Sequence, residues 1–503
     1  MADKLILAIM DGWGVGPADK YNAILNAKTP NVDRLIREYP NTQLKSDGPA
    51  VGLEDGSPGT SEVNHLTIGS GRIIWQDLPK INLAIQDKSF FSNKVLNDTV
   101  NHAIANRSNI HLIGITSFGG VHSHLDHLSA MLELCKQRNF QGKVYIHAFT
   151  DGRDNPPKDA MKDLSTLQAR IDEIGIGEVV TLQGRFWLDR DREWARTEKA
   201  FELIMHGKGI DVEGWENAIT YGYLNHDTCE YFDQYIINKH GTLKKDDAVF
   251  FFHYRSDRMF QLTKRILDEK LDNIYFGSFI ECSEDFDVQI AFPREKIEGT
   301  IAEVLAANKK TQLHITETEK FPHLTYFLDG GREQELAGEK WQLLESNKFV
   351  KPQYNFEPSM RAFEISQQVL DAIKDDKFDF IVINFANTDM VGHTGNYNAA
   401  LIAAEAVDYC IGLIYEAIKD RLNEYSLIVT ADHGNAEEMW DYENDQPHTR
   451  HTLNKVPFIV VTDKPQLSLR NGRGMDDVAP TVLALMGLKP AEQMRGTTLV
   501  MSE

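Results

Sequence analysis

Three stretches of the chain share one pattern: a continuous apolar, β-branched-rich run followed at once by Asp, Asn, Gly or His. They are KLILAIMDGWG (4–14), FDFIVINFANTDMVGH (378–393) and YSLIVTADHGNAEE (425–438). The runs do not alternate apolar with polar, so the pattern predicts strands covered on both faces, as in a parallel sheet with helices on either side. NAALIAAEAVDYCIGLIYEAIKDRL (398–422) lies between the second and third runs and predicts a long amphipathic crossover helix. In such sheets ligands collect beyond the carboxyl ends of the strands. Here those ends carry metal-ligand side chains.

The middle of the chain keeps the grammar and changes the chemistry. NIHLIGITSFGGVHSHLDHL, GKVYIHAFTDGRDNPP, EVVTLQGRFWLDRDREW and DDAVFFFHYRSDRMFQ end in His and Arg instead. That switch predicts a second α/β domain inserted into the first, with hinges near Trp75–Pro79 and Phe292–Ala307. The expected division is 1–76 with 307–503 for the metal-binding domain, and 77–306 for the inserted, substrate-binding domain.

A length of 503 residues fits two domains better than one core. The net charge of −22 argues against nucleic acid or an anionic membrane as partner, although a local arginine cluster can still hold a small anion. The apolar N-terminal run is too short for a signal-peptide core or a membrane span. Four scattered cysteines with no CxxC pair indicate neither disulfides nor a thiolate metal site. A cytoplasmic enzyme, expected as a monomer, is the reading that results.

Asp11 alone reads as a turn residue. Asp389 and His393, four apart, share a face if their loop begins a helix. Asp432 and His433 are adjacent at a strand end and can point to different ions. His451 precedes the apolar run VPFIV, with His448 as a rival that spacing does not separate. Together these side chains match oxygen and nitrogen coordination, which suits Mn²⁺ or Zn²⁺ better than Mg²⁺. A pair of such ions would serve phosphoryl transfer.

The hydroxyl-rich stretch SPGTSEVNHLTIGSGR (57–72) then acquires a purpose. A hydroxyl becomes a nucleophile at neutral pH when a metal or base activates it, and a helix starting at GTSEVNHL would favour a phosphate at its N-terminus. Ser61 is the candidate, with Ser57, Thr60 and Ser70 as competitors. In the middle domain His122, Arg153, Asp154, Arg185, Arg190, Arg255 and Arg258 follow strands. Guanidinium forks bind phosphate and carboxylate, so the cluster reads as a grip on a small molecule bearing both. Asp154 is placed to act as acid or base at a substrate hydroxyl.

DGWG, GTSEVNHLTIGSGR, GGVHSHLDHL, HAFTDGRDNPP, YRSDR, TEKFPHLTYFLDGG, NFANTDMVGHTGN, TADHGNAEEM and RHTLNKVPF occur in one order along the whole chain. In these motifs the sequence resembles the cofactor-independent phosphoglycerate mutases of the alkaline phosphatase superfamily. The resemblance implies two α/β domains, one an alkaline-phosphatase-like mostly parallel sheet. It implies interconversion of 3- and 2-phosphoglycerate through a phosphoserine, without 2,3-bisphosphoglycerate, in glycolysis and gluconeogenesis. A metal-dependent phosphatase and a phosphopentomutase-like enzyme are the alternatives within the superfamily. Two Mn²⁺-type sites are implied (Co²⁺ or Mg²⁺ being conceivable), one of Asp389, His393 and His451, the other of Asp11, Ser61, Asp432 and His433. It favours Ser61 over Thr60 and His451 over His448. It adds Lys320 as a catalytic and substrate-binding residue beside the His122, Arg153, Asp154, Arg185, Arg190, Arg255 and Arg258 set. One motif departs: the family's GRYYAMDRD is GRFWLDRD here, one residue shorter, which sets Arg192 beside Arg190 as a candidate for that position.

Overall fold

Every residue from Leu5 to Met10 in the first strand, β1 (Lys4–Met10), is buried, as an apolar run without alternation requires. β2 (Asn41–Leu44) alternates exposed and buried positions instead. Along the chain follow β3 (Ile110–Ile115), β4 (Val144–Thr150), β5 (Glu178–Gly184), β6 (Ile210–Asp211), β7 (Tyr235–Ile236), β8 (Ala248–Phe251), β9 (Tyr275–Ser278) and β10 (Gln289–Ile290). Then come β11 (Gln312–Glu317), β12 (Glu339–Leu344), β13 (Phe380–Phe385), β14 (Tyr425–Thr430), a ribbon of β15 (Trp440–Asp441) and β16 (Gln446–Pro447), and β17 (Val456–Val461). This computed structural model describes residues 3–501.

The chain divides into two compact units, residues 1–76 with 296–503, and residues 77–295. The sequence set the return crossing at 306/307, but residues 296–306 belong to the first unit. The cause is local. Thr300 and Glu303 form a reciprocal capping box that starts the helix Ile301–Ala307. Its Ile301 and Leu305 are then buried in the first unit's core.

In the first unit the strand order is β12-β11-β13-β1-β14-β17-β2. β12 through β14 are parallel, whereas β17 runs antiparallel to β14 and β2 antiparallel to β17. Met10 pairs with Phe385 and Ile9 with Thr430, so β13, β1 and β14 end level. Because β17 is reversed, its beginning lies at that same edge. The segments after β11, β13, β1 and β14 and the segment before β17 therefore emerge together.

Burial of β1, β11, β13, β14 and β17 on both faces supplies the main driving force, at roughly 1.5–3 kcal/mol for each large aliphatic side chain. The helix Tyr397–Ile418 crosses from β13 towards β14 and packs on the helix Ala362–Asp375.

The helix Ser61–Ser70 has no amphipathic stripe and is buried nearly all round. Thr60 caps it by accepting from the Val63 N–H, and Gly71 in the left-handed region (φ 60°) ends it. A Cβ on Gly69 would lie 1.8 Å from the Leu328 carbonyl oxygen, so only glycine lets the helix approach that backbone.

The second unit is built around a sheet of order β10-β9-β8-β3-β4-β5-β7-β6. The six strands from β10 to β5 are parallel, and β7 is antiparallel to β5. Its core is separate, formed by residues such as Leu112, Ile146, Leu182 and Phe250. Cys135, Cys229, Cys282 and Cys410 are free thiols. Among the described residues no helix is long and apolar enough to cross a membrane.

Candidate active site

Four neighbouring parallel strands of the first unit each deliver one piece of a buried cluster. Lys320 follows β11, Asp389 follows β13, Asp11 follows β1, and Asp432 with His433 follow β14. His451 joins from the segment leading into the reversed β17. Gly12 (φ 74°) makes the close packing possible: a Cβ there would meet the Asp389 Cα at 2.6 Å.

Asp389 sits in the short helix Asn387–Gly392, with His393 one turn on. Asp389 Oδ1 is 3.1 Å from Nε2 of His393 and 3.1 Å from Nε2 of His451, and the two nitrogens are 3.0 Å apart. Ligands about 2.1 Å from a common ion stand roughly 3.0–3.4 Å from one another, so this triangle has the dimensions of a coordination site. Both rings are oriented for it. His393 Nδ1 lies 2.8 Å from the Thr449 carbonyl and His451 Nδ1 lies 2.7 Å from the Gly59 carbonyl. Each Nδ1–H donates to the backbone and directs Nε2 at Asp389.

The second group surrounds the hydroxyl of Ser61, the first residue of its helix and buried. Ser61 Oγ lies 2.9 Å from His433 Nε2 and 3.5 Å from Asp11 Oδ1. His433 Nε2 is 3.3 Å from Asp432 Oδ2. Thr60 spends its hydroxyl on the helix cap, Ser70 donates to the Arg72 carbonyl, and the hydroxyl in the cluster is that of Ser61. Lys320 Nζ reaches across both groups, 2.7 Å from Ser61 Oγ, 2.7 Å from Asp11 Oδ1 and 2.6 Å from Asp389 Oδ2.

Three buried carboxylates thus face one ammonium. Burial opposes the charge on Lys320, but Asp11 and Asp389 outweigh it and hold the ammonium firmly protonated. Burial, then Asp11, drives Asp432 well above the carboxylate range, and its Oδ2 is buried with no hydrogen-bond partner. Burial lowers His433 to about 3, so its imidazole is neutral. Three buried carboxylates against one ammonium, an orphaned carboxylate oxygen and the neutral His433 ring fit divalent cations. Asp389, His433 and His451 offer ligand atoms within 4.8 Å of one another, as do Asp11, His65 and Asp432.

Several residues that hold this geometry carry no metal-type signal in the sequence. Asn384 donates to Asp11 Oδ2 (2.8 Å), Asn435 to Asp389 Oδ1 (3.0 Å) and Asn64 to the Asp432 carbonyl (2.5 Å). Glu437 accepts from the Gly14 and Asn435 N–H groups and from Thr452, tying the β1 and β14 loops together. His65, one turn beyond Ser61, was also passed over. The i, i+4 spacing to the hydroxyl could have found it.

In the second unit the segments after β3, β4, β5 and β8 bring His122, Asp154, Arg185 and Arg258 together. Arg185 is buried directly after β5. Its Nη1 donates to Asp151 Oδ1 and Asp154 Oδ2, and its Nη2 to His122 Nε2 at 2.8 Å. Asp151 also accepts from the Arg153 and Asp154 N–H groups, folding the DGRD loop around itself. Arg190 and Arg255 share Asp257, at 3.1 and 3.2 Å, and Arg153 lies 3.6 Å from Glu230. Arg192, by contrast, meets Gln261 through its backbone N–H.

Asp151, Asp257 and Glu230 were not singled out from the sequence, although each pairs with an arginine that was. Burial, then Arg185, Arg258, Arg255 and Arg190, lowers His122 to about 2, so it accepts from Arg185 as a neutral ring. Arg258 is lowered to about 10 by burial and the neighbouring Arg185, and its hydrogen-bond acceptors are the carbonyls of Leu188 (3.0 Å) and Arg185 (3.3 Å). A buried guanidinium with no carboxylate hydrogen-bonded to it is suited to an anionic ligand.

A family model described as the metalloenzyme superfamily matches residues 3–490. The chain is 43% identical over 514 aligned residues to the 2,3-bisphosphoglycerate-independent phosphoglycerate mutase of Clostridioides difficile (strain 630), covering 99% of each chain. It is 42% identical, again over 99% of each, to 2,3-bisphosphoglycerate-independent phosphoglycerate mutase 1 of Methanosarcina acetivorans. Among solved structures, phosphoglycerate mutase of Leishmania mexicana at low cobalt concentration superposes with a TM-score of 0.60 at 26% identity, covering 100% of this chain and 98% of that one.

Proposed function

The chain belongs to the metalloenzyme superfamily and, within it, to the 2,3-bisphosphoglycerate-independent phosphoglycerate mutases, and from that premise we propose that Ser61 is the hydroxyl through which it exchanges 3- and 2-phosphoglycerate. It is an isomerase that uses divalent metal. The observation that carries the assignment is the Ser61 hydroxyl, buried at a helix N-terminus between His433 Nε2 and Lys320 Nζ.

Ser61 Oγ attacks the phosphorus, the bond from phosphorus to the glycerate oxygen breaks, and the other glycerate hydroxyl later takes the phosphoryl group back. The Lys320 ammonium neutralises charge on the phosphoryl oxygens, and the amide groups at the helix N-terminus favour the same anion. Arg185, Arg190, Arg255, Arg258 and Arg153, with His122, hold carboxylate and hydroxyls, and Asp154 moves the hydroxyl proton. Asp389, His393 and His451 would hold one metal ion, and Asp11, Ser61, Asp432 and His433 a second. Mn²⁺ in those positions supplies Lewis-acid polarisation and lowers the pKa of the serine hydroxyl. The same reading has the enzyme acting as a cytoplasmic monomer on a free small molecule.

An enolase-coupled assay on 3-phosphoglycerate without 2,3-bisphosphoglycerate, after chelation and again with Mn²⁺ restored, tests the reading when free phosphate is followed in parallel. Manganese-dependent 2-phosphoglycerate with little phosphate is the expected result. Phosphate alone would identify a hydrolase. Ser61→Ala should lose the exchange by about 10³-fold or more while the chain keeps its fold. A Ser61→Ala protein with near-native turnover would remove Ser61 as nucleophile.

A further inference from the structure

A second group of metal-ligand side chains lies at the opposite side of the first unit's sheet order from β14 and β17, on the edge pair β11 and β12. His314 is on β11, Glu339 opens β12, and Asp329 lies in the turn just after the short helix His323–Phe327 that follows Lys320. All three are buried, and their ligand atoms lie within 4.8 Å of one another.

The hydrogen bonding around them is incomplete in a specific way. His314 Nδ1 lies 2.9 Å from the Leu324 carbonyl, so it carries the proton and leaves a lone pair on Nε2. That lone pair faces Glu339 Oε1 at 3.3 Å. Glu339 already accepts from Trp341 Nε1 (2.8 Å) and from the Leu336 N–H (2.7 Å). Both oxygens of Asp329 are buried with no hydrogen-bond partner, as is His314 Nε2. Arg332, the nearby cation, is engaged by Glu303. Apart from the Trp341 Nε1–H on Glu339 Oε1, the three groups converge without a donor, and His314 Nε2 and both Asp329 oxygens have no hydrogen bond of their own.

Lone pairs cannot face one another in a buried space without something positive among them. One proton on Asp329 would satisfy one neighbour and leave the others unmet. A divalent ion satisfies all three, and its charge balances two carboxylates and a neutral imidazole. One nitrogen and carboxylate oxygens form a donor set for first-row ions such as Mn²⁺ and Zn²⁺. We infer that His314, Asp329 and Glu339 form a separate site for one divalent transition-metal ion, which braces the segment from Lys320 to Asp329 against the β11–β12 edge. Burial, then Glu339, pushes Asp329 well above the usual carboxylate range, as two carboxylates brought together in a buried space require.

The test uses the full-length protein, chelated and then loaded separately with Mn²⁺ and Zn²⁺. Bound ions per chain are counted after gel filtration, and zinc-soaked crystals are measured at the zinc absorption edge. Asp329→Asn keeps the shape and removes the charge. It should bind one ion fewer per chain than wild type, lose part of the metal-dependent rise in melting temperature, and still regain activity with Mn²⁺. An anomalous peak between the three side chains is expected in wild type. Equal ion counts in a folded Asp329→Asn protein would overturn the site. So would zinc-soaked wild-type crystals with a peak at Asp389 and none at Asp329, and this outcome decides the matter even if Asp329→Asn fails to fold.

Discussion

At Asp389 two imidazoles compete for one carboxylate oxygen, and that competition has a measurable consequence. Burial disfavours an imidazolium at His451, but the hydrogen bond and charge of Asp389 outweigh it and raise the ring to about 9. In the metal-free chain His451 is therefore protonated at pH 7. Raised from 6.5, the group stabilises the metal-free fold below pH 6.5, and that contribution is lost as pH rises towards 9. Metal binding has the opposite sign, because the proton must leave before Nε2 can coordinate. Mn²⁺ affinity should climb about tenfold per pH unit for each proton displaced across that window. Calorimetry at pH 7 in buffers of different ionisation enthalpy should register the released proton. Affinity flat from pH 6 to 8.5 would exclude His451 as a ligand. The sequence shows that ligand-type residues follow strands, but it does not show which histidine before β17 arrives at the cluster. His451 is singled out by the Gly59 carbonyl that orients its ring, and that contact is not written in the local spacing.

The elements differ in how plainly the sequence announces them. β1, β13 and β14 are runs with no polar interruption and could be read directly. The Ser61–Ser70 helix is harder, because being buried nearly all round it has no polar face, and its Ser, Thr and Gly content looks like a loop. Its start is a local cap at Thr60, but its packing depends on the close approach of Gly69 to the Leu328 carbonyl, which is a tertiary fact. The DGWG turn is similar. It reads as a turn, yet its purpose is to let β1 and the Asp389 helix touch. Gly12→Ala combines a left-handed φ with a backbone contact at 2.6 Å, so it should cost about 1–3 kcal/mol of stability. Because the contact is to Asp389, Mn²⁺ affinity should fall with it. Denaturant melts with and without Mn²⁺ separate the two effects: an equal loss under both conditions would mean that the turn supports the fold and leaves the metal centre unaffected.

At the scale of the molecule, the nucleophile-type hydroxyl belongs to one unit and the guanidinium cluster to the other. The alternation of strand-end chemistry along the chain is what made that division legible. The return crossing was misplaced because the capped Ile301–Ala307 helix contributes apolar burial and no strand-end ligand. On the proposed mechanism a phosphoserine has two acceptors, the second glycerate hydroxyl or water, and the outcome depends on whether glycerate is held until it is rephosphorylated. On that proposal Arg258 takes the task, since its buried head group bonds the Arg185 and Leu188 carbonyls and leaves its charge for an anion. Removing a charge-assisted bond worth about 1.5–3 kcal/mol should slow 2-phosphoglycerate formation roughly 10- to 150-fold. Loss of affinity alone would leave each committed turnover as faithful as before. Loss of the grip on glycerate would instead raise phosphate released per 2-phosphoglycerate formed, with Mn²⁺ content unchanged. Arg258→Lys should recover part of the rate, because it restores the charge without the fork. A folded, metal-replete Arg258→Ala enzyme whose phosphate-to-product ratio equals that of wild type would show that retention of glycerate rests on the other arginines, Arg185 first among them.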